Sequence, residues 1–116
     1  MATVTEQQAV VATVLDYFEG WFDGDVERMD RALHPALVKR SFELKRTTTK
    51  EQMLTWTGEG EGKAEDPGER RIEVEVADLH LNIASAVVRS AVYREYVHLV
   101  RTDEGWKIVN ALWQLT

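Results

Sequence analysis

Residues 17–42 read YFEGWFDGDVERMDRALHPALVKRSF, and they predict the end of one helix, a tight turn, a short second helix and a first strand. Gly24 suits the left-handed backbone conformation that ends a helix, and Asp25 suits the position that caps the next one. Pro35 has no amide hydrogen, so it prevents the second helix from continuing. The second helix therefore ends before Pro35, and a strand follows over residues 36–44.

Upstream of this segment, the sequence predicts one long amphipathic helix. Thr5 and Gln8 have the spacing of a capping box, in which each side chain accepts a hydrogen bond from the other residue's amide. Apolar residues then recur every three or four positions and form a stripe roughly 160° wide: Val10, Val11, Val14, Leu15, Tyr17, Phe18, Trp21 and Phe22. We interpret so broad a face as one that packs against a sheet.

Downstream, the sequence predicts a third helix after the capping pair Thr49 and Gln52, and then only strands. The run of glycines and glutamates at 58–68 predicts a mobile loop over a pocket. Later segments predict a strand at 72–76, one bent strand or two strands at 84–101, and a last strand at 106–115.

This order of elements predicts an α+β fold. Helices at the N-terminus would pack on the concave face of a cone-shaped, curved antiparallel β-sheet, because each layer must bury its apolar face against the other. Such a cone encloses a pocket, and ligands favour concave interiors.

The strand at 36–44 alternates between two faces, and we assign one of them to the core. Val38 and Phe42 are apolar and share a face with Arg40, whereas Lys39 and Ser41 belong to the other face. An arginine inside a core needs a carboxylate, an anionic ligand or a water-filled cavity. We therefore expect Arg40 to pair with an internal carboxylate, to extend to the rim of the cavity, or to contact a ligand.

The composition narrows the class of protein. The 116 residues suffice for one domain with a hydrophobic core, and we assign residues 1–116 to it. The formal net charge of −6 argues against nonspecific nucleic-acid binding, and the lack of cysteine excludes disulfides and thiolate metal sites. The chain shows neither a signal peptide nor an apolar run near the roughly 18 residues of a membrane span, which indicates a cytoplasmic protein without membrane association.

Four motifs resemble the nuclear transport factor 2-like superfamily: YFxGWxxGD at 17–25, LHPxLVKR at 33–40, ASA at 84–86 and GWKIVNxLW at 105–113. The similarity is greatest to its bacterial SnoaL-like branch, which is catalogued as "putative lumazine-binding" proteins. The resemblance implies a cystatin-like cone and a homodimer formed through the outer face of the sheet. Its relatives include steroid isomerases, polyketide cyclases and dehydratases, so the fold leaves the function open.

The resemblance to steroid isomerases can be followed residue by residue. Their oxyanion-hole tyrosine corresponds to Tyr17, their second donor corresponds to His98, and their general base falls at or beside Arg40. Arginine stays protonated and cannot accept a proton. The resemblance therefore implies hydrogen-bond donors without a base, and we do not expect steroid isomerisation.

The predicted site combines aromatic and basic side chains. His34 would cap helix carbonyls or point into the cavity, His98 would face the pocket or the core, and His80 would lie on the surface. Three histidines on separate elements, without i,i+4 spacing, do not predict a metal site, and nothing indicates a cofactor. The predicted ligand-binding residues are Tyr17, Trp21, His34, Arg40, Trp56, Tyr96, His98 and Trp113.

Three functions remain open at the level of sequence. The first is a small-molecule binding domain whose aromatic pocket suits a planar ligand, acidic or not. The second is an isomerase, cyclase or dehydratase that uses Tyr17 and His98 in catalysis, and the missing base disfavours it. The third is a dimeric interaction module that presents its exposed sheet face to a partner.

Overall fold

The computed structural model describes residues 4–116, which form four helices and six strands. The helices are α1 (Glu6–Asp23), α2 (Val26–Ala32), α3 (Lys50–Gly58) and α4 (Glu61–Glu65). The strands are β1 (Leu33–Ser41), β2 (Arg46–Thr48), β3 (Glu73–His80), β4 (Ile83–Arg89), β5 (Tyr93–Thr102) and β6 (Gly105–Leu115). The segment at 84–101 thus forms two strands, and one of the two predicted alternatives is confirmed.

The six strands form one sheet in the order β2-β1-β6-β5-β4-β3. All neighbours pair antiparallel except β1 and β6, which run parallel. The helices cover one face of this sheet, which we call the inner face, and α1 contacts both β3 and β6. The predicted α+β cone is confirmed, with one parallel pair in an otherwise antiparallel sheet.

The predicted helix ends are confirmed by their hydrogen bonds. The Thr5 side chain accepts a hydrogen bond from the Gln8 amide at 3.1 Å, and Thr49 and Gln52 form the same capping box before α3. Gly24 ends α1 with a φ of 67°, and Asp25 caps α2. None of the helices within residues 4–116 has the length and apolar character of a membrane span.

The two faces of β1 are the reverse of those predicted. Leu37 and Ser41 are buried on the inner face, whereas Arg40 is exposed and Phe42 is 76% exposed on the opposite, outer face. The pairing of β1 with β6 shifts between Leu33 and Val38, around Pro35, and this irregularity helps set which side chains face inward. The expectation that Arg40 and Phe42 face the core is therefore wrong.

The predicted loop at 58–68 contains the short helix α4. Gly62 is buried so closely against α1 that a Cβ atom there would lie 2.0 Å from the carbonyl oxygen of Trp21. Glycine at this position brings the backbone of α4 against α1 without a side chain between them. This part of the segment therefore packs against a helix, and Glu65, the last residue of α4, borders a cavity. The mobility of the segment remains a prediction.

Candidate ligand-binding site

The inner face of the sheet carries a cavity of about 250 Å³. Three indoles, one phenol, two basic side chains and one carboxylate contribute to its walls. Its lining residues are Trp21, Lys39, Leu44, Arg46, Thr48, Met53, Trp56, Glu65, Tyr93, Trp113 and Leu115. A much smaller void continues from Trp21, Lys39 and Tyr93 toward Tyr17 and Glu95.

Strand pairing places a lysine and a glutamate together where the cavity meets the smaller void. Lys39 on β1 lies opposite Ala111 on β6, which lies opposite Val97 on β5. Glu95 precedes Val97 by two residues and therefore shares its inner face. Lys39 Nζ is 3.8 Å from Glu95 Oε1, and the two side chains are only 13% and 2% exposed. The sheet thus buries two oppositely charged residue types side by side.

The Tyr17 hydroxyl completes this buried cluster by donating a hydrogen bond to Glu95 Oε1 at 2.5 Å. Burial raises the pKa of Glu95, although Lys39 and the bond from Tyr17 oppose the rise. Burial also lowers the pKa of Lys39 against the opposing effect of Glu95. Both shifts favour the uncharged forms of the pair. Burial and the neighbouring Glu95 raise the pKa of Tyr17, so its hydroxyl remains a donor.

Tyr93 forms the second polar contact of the cavity wall. Its hydroxyl oxygen accepts a hydrogen bond from Trp21 Nε1 at 3.2 Å, and the hydroxyl also contacts Glu65 Oε2. Burial and the bond to Glu65 raise the pKa of Tyr93, so this phenol stays protonated. Its ring stacks on Phe22 at 6.1 Å and meets Trp113 edge-on at 5.4 Å. These contacts hold the ring rigidly beside the cavity.

Two polar groups of the wall have unusual surroundings. Trp113 Nε1 is buried and has no hydrogen-bond partner among the described residues, which is uncommon for an indole donor. Lys39 Nζ lies 5.1 Å from the ring centroids of both Tyr17 and Trp113, at cation–π distance. The cavity therefore combines aromatic surfaces with the amine of Lys39, and the buried indole N–H of Trp113 has no acceptor among the described residues.

The structure separates the predicted site residues into two groups. Trp21, Trp56 and Trp113 line the inner cavity, and Tyr17 lies directly beside it. His34 does not line the cavity: its Nδ1 accepts a hydrogen bond from the Ala36 amide at 3.0 Å. Its predicted roles as a helix cap and as a cavity donor are both replaced by this local contact within β1.

The remaining predicted residues, Arg40, Tyr96 and His98, lie on the outer face. Arg40 lies opposite Leu112, and Leu112 lies opposite Tyr96. Arg40, Leu112 and Tyr96 therefore form one row across β1, β6 and β5. They border a groove of about 440 Å³. The apolar character of Val38 made this face resemble a core, but the sheet carries apolar side chains on both sides.

This placement corrects the predicted catalytic pair. Tyr17 OH is buried against Glu95 on the inner side, whereas His98 is exposed on the outer side beside Asn110. A sheet stands between them, so Tyr17 and His98 cannot act on one substrate. Arg40 is likewise separated from the aromatic cavity. Within residues 4–116, no group of three or more acidic or histidine side chains is arranged to hold a metal ion.

The sequence interpretation missed Lys39, Glu95, Glu65 and Arg46 as lining or supporting residues. For Glu95 a signal was present, because Val97 and Leu99 follow it at alternate positions and predict an apolar, inward-facing phase of β5. A glutamate in that phase indicates a buried carboxylate that needs a partner. Glu65 and Arg46 lie on short elements, where no periodicity reveals which way they face.

Comparison with known proteins supports the fold. The family model described as "Putative lumazine-binding" matches residues 5–114. An NTF-2 like protein of unknown function from Silicibacter pomeroyi is 13% identical, with a TM-score of 0.75 over 100% of both chains. An NTF2-like protein of unknown function from Shewanella baltica is 15% identical, with a TM-score of 0.74 over 100% of this chain and 98% of that chain.

A domain of unknown function with a cystatin-like fold, from Nostoc punctiforme, is 15% identical. Its TM-score is 0.69, and the matched region covers 99% of this chain and 80% of that chain. At such identities the likeness concerns the fold alone, and it confirms the predicted NTF2-like, cystatin-like cone. Among curated proteins, none matches the sequence.

Proposed function

We propose that this chain, which belongs to the family described as "Putative lumazine-binding", binds a small planar molecule in the inner cavity. The observation that carries the proposal is the cavity of about 250 Å³ walled by Trp21, Trp56 and Trp113. Ligand pockets commonly measure about 300–1,000 Å³, so a site slightly below that range suits a ligand of one or two fused rings.

The side chains of the cavity wall further restrict the class of ligand that would fit. Indole and phenol faces stack favourably on flat rings. Lys39 and Arg46 supply donors, and Glu65 supplies an acceptor. A heteroaromatic ring whose edge carries both acceptors and donors matches this set. Lumazine, the flat bicyclic compound in the family's description, has this character.

An acidic group on the ligand would interact with Arg46 rather than Arg40. Arg46 borders the cavity and carries a guanidinium group that can hold two oxygens at once, whereas Arg40 lies on the other side of the sheet. Lys39 is a weaker anchor for an anion, because burial lowers its pKa. The preference for acidic planar ligands thus moves to a different arginine.

The test measures lumazine binding by isothermal titration and by tryptophan fluorescence. Trp56→Ala should weaken binding about twofold to tenfold, the amount expected for one lost aromatic contact. Lys39→Met should weaken it about tenfold or more, since a hydrogen bond from a charged or strongly polar group is lost. Lys107→Met is the matched control, because Lys107 lies outside the cavity lining and should leave binding unchanged.

Two results would contradict the proposal. One is the absence of binding by lumazine and by a panel of flat probes such as 2-naphthoate and quinoline. The other is binding that Trp56→Ala and Lys39→Met leave as strong as in the wild type, which would locate the ligand elsewhere.

The outer face supports a second element of this proposal, a homodimer. Phe42, Ile83, Tyr96 and Leu112 are 76%, 58%, 49% and 46% exposed on one sheet face. Large exposed apolar patches mark interaction surfaces, and a sheet face can pair with itself about a two-fold axis. Light scattering should give a dimer at micromolar concentration, and Leu112→Glu should give a monomer, whereas Thr55→Glu on the helical side should not. A monomeric wild type would contradict the dimer.

A further inference from the structure

Lys39 differs from other lysines of the chain in what its amine contacts. Lys50 Nζ donates to the Leu33 carbonyl at 2.9 Å and pairs with Asp30 at 2.9 Å, and Lys107 Nζ donates to the Arg31 carbonyl at 2.6 Å. Lys39 Nζ has no oxygen so close among the described residues. Its polar neighbours are Glu95 Oε1 at 3.8 Å and Met53 Sδ at 3.9 Å.

The surroundings of this amine are aromatic and sheltered. Its side chain is 13% exposed and borders both the main cavity and the smaller void beside Glu95. The ring centroids of Tyr17 and Trp113 each lie 5.1 Å from Lys39 Nζ. A flat molecule in the cavity would therefore reach Lys39 Nζ without displacing a short hydrogen bond.

We propose that Lys39 is a nucleophilic amine that forms an imine with a planar aromatic aldehyde bound in the inner cavity. The proposal rests on the proposed ligand-binding cavity and adds a covalent step to it. A lysine is nucleophilic only as the free amine, and desolvation in an apolar pocket is a recognised way to supply that form near neutral pH. Burial lowers the pKa of Lys39 in the direction that this step needs.

Glu95 is placed to move the proton. The Nζ lone pair attacks the carbonyl carbon, the C–N bond forms, and the π electrons of C=O move to oxygen, which takes a proton. The amine loses a proton, and the product at this stage is a carbinolamine. Its hydroxyl then takes a second proton and leaves as water while the nitrogen lone pair forms the C=N bond, and the iminium nitrogen then releases its remaining proton. Overall, one amine and one aldehyde give one imine and one water, and no oxidant or reductant is consumed.

Glu95 Oε1 lies 3.8 Å from the attacking amine, so a small movement or one bridging water would bring it within proton-transfer distance. Burial raises the pKa of Glu95, so the protonated acid that the loss of water requires is favoured. Tyr17 positions this carboxyl group through the hydrogen bond at 2.5 Å. Glu95 is thus the proton donor and acceptor, and Tyr17 is a positioning residue.

The test uses 2-naphthaldehyde as the probe and sodium cyanoborohydride to trap imines as secondary amines. The chain has five lysines, and peptide mapping by mass spectrometry measures the label on each. At pH 7 and low reagent concentration, we expect Lys39 to be labelled at least tenfold faster than Lys45 or Lys63. Propanal, which lacks a ring, should show much less preference for Lys39.

Variants add independent checks of the same step. Glu95→Gln should slow labelling of Lys39 about tenfold or more at pH 7, without changing the labelling of Lys63. Lys107→Met should leave the rate at Lys39 unchanged. The measurement at Lys39 is made in the wild-type protein, so it does not depend on whether a variant folds.

The outcome separates this inference from the proposed function. If lumazine binds but Lys39 is labelled no faster than Lys45 and Lys63, the reactive amine is wrong and the binding cavity stands. If 2-naphthaldehyde labels Lys39 selectively but lumazine and other flat probes do not bind, the proposed reactivity of Lys39 is supported. The proposed binding of lumazine-type ligands is then wrong. Equal labelling by 2-naphthaldehyde and propanal at Lys39 would also overturn the inference, because the cavity would then contribute nothing.

Discussion

Lys39 and Arg40 are neighbours in sequence, yet they lie on opposite faces of the sheet. Lys39 is buried among aromatic rings and beside the carboxyl group of Glu95, whereas Arg40 is exposed beside Tyr96 and Leu112. The inner site contains groups whose pKa values are shifted by burial. The outer face carries a shallow groove open to water.

The difference shows how one strand can serve two chemical environments. Burial makes charge expensive on the inner face, so its ionisable groups must be paired, neutral or bound to a ligand. On the outer face water solvates Arg40 and His98, and their contribution to stability is small. Substitutions on the two faces should therefore differ widely in effect.

The largest effect is expected for Glu95→Leu. It removes the acceptor of the Tyr17 hydroxyl and the charge partner of Lys39, and loss of one member of a buried pair costs about 3–5 kcal/mol. Urea unfolding at fixed protein concentration measures the loss. Arg94→Leu, at the preceding exposed position, is the control and should change the free energy by less than about 0.5 kcal/mol.

The double variant Lys39→Met/Glu95→Leu sharpens this result. Replacing both members by apolar groups removes the buried amine that Glu95→Leu leaves without its partner, so most of the loss in Glu95→Leu should be recovered. A single-variant loss below about 1 kcal/mol would mean that the inner pair is no more important than a surface contact.

A smaller loss is expected for Gly62→Ala. The added Cβ would lie 2.0 Å from the Trp21 carbonyl oxygen, so the backbone of α4 must move away from α1. Overpacking of this kind costs about 1–3 kcal/mol. Lumazine binding should also weaken, because Glu65 and Trp21 border the cavity. Ala64→Ser, at an exposed position of α4, is the control, and equal stability of the two variants would contradict the close packing of Gly62.

The pH dependence of Lys39→Met tests the state of Glu95. Burial raises the pKa of Glu95 above its usual value of 4.5 in the folded state, and loss of Lys39 removes the charge that opposes this rise. Protonated Glu95 therefore contributes stability below pH 4.5, and the contribution is lost as pH rises through the folded-state pKa.

The measurement compares the free energy of unfolding of Lys39→Met with that of Lys39→Met/Glu95→Gln. Above pH 4.5, Lys39→Met should lose about 1.4 kcal/mol per pH unit relative to the glutamine variant, until the folded-state pKa is reached. A difference that stays constant between pH 4.5 and pH 8 would show that the pKa of Glu95 is not raised.

The smallest effect is expected for Arg40→Met. Arg40 is exposed and lies across the sheet from the cavity, so the free energy of unfolding should change by less than about 0.5 kcal/mol. Lumazine affinity should equal that of the wild type. A tenfold loss of affinity in Arg40→Met, with none in Lys39→Met, would reverse the assignment of the two faces.

The sequence predicts well those features that depend on near neighbours in the chain. The caps at Thr5, Asp25 and Thr49 are made by residues three positions away, and the stripe of α1 follows one helical period. The cystatin-like cone is predicted on other grounds, from the resemblance of four motifs to a known superfamily. Tyr17 and the three indoles of the cavity also follow from these patterns.

The phase of β1 depends on distant partners and could not be predicted in this way. A one-residue difference in phase exchanges the two faces of a strand, and here Pro35 and the irregular pairing with β6 help set that phase. Both faces of β1 carry apolar residues. Val38 and Phe42 therefore led to the wrong assignment of the core-facing side. The contact between Gly62 and Trp21 joins residues about forty positions apart, and local polarity did not reveal it.

The strand order leaves β2 and β3 at the two edges of the sheet. Edge strands expose unpaired amides and carbonyls that can recruit strands from other molecules. β2 has only three residues, and β3 carries the exposed acids Glu73, Glu75 and Asp78 along its length. Short length and like charge both discourage edge-to-edge growth, so this protein should resist fibre formation even at high concentration.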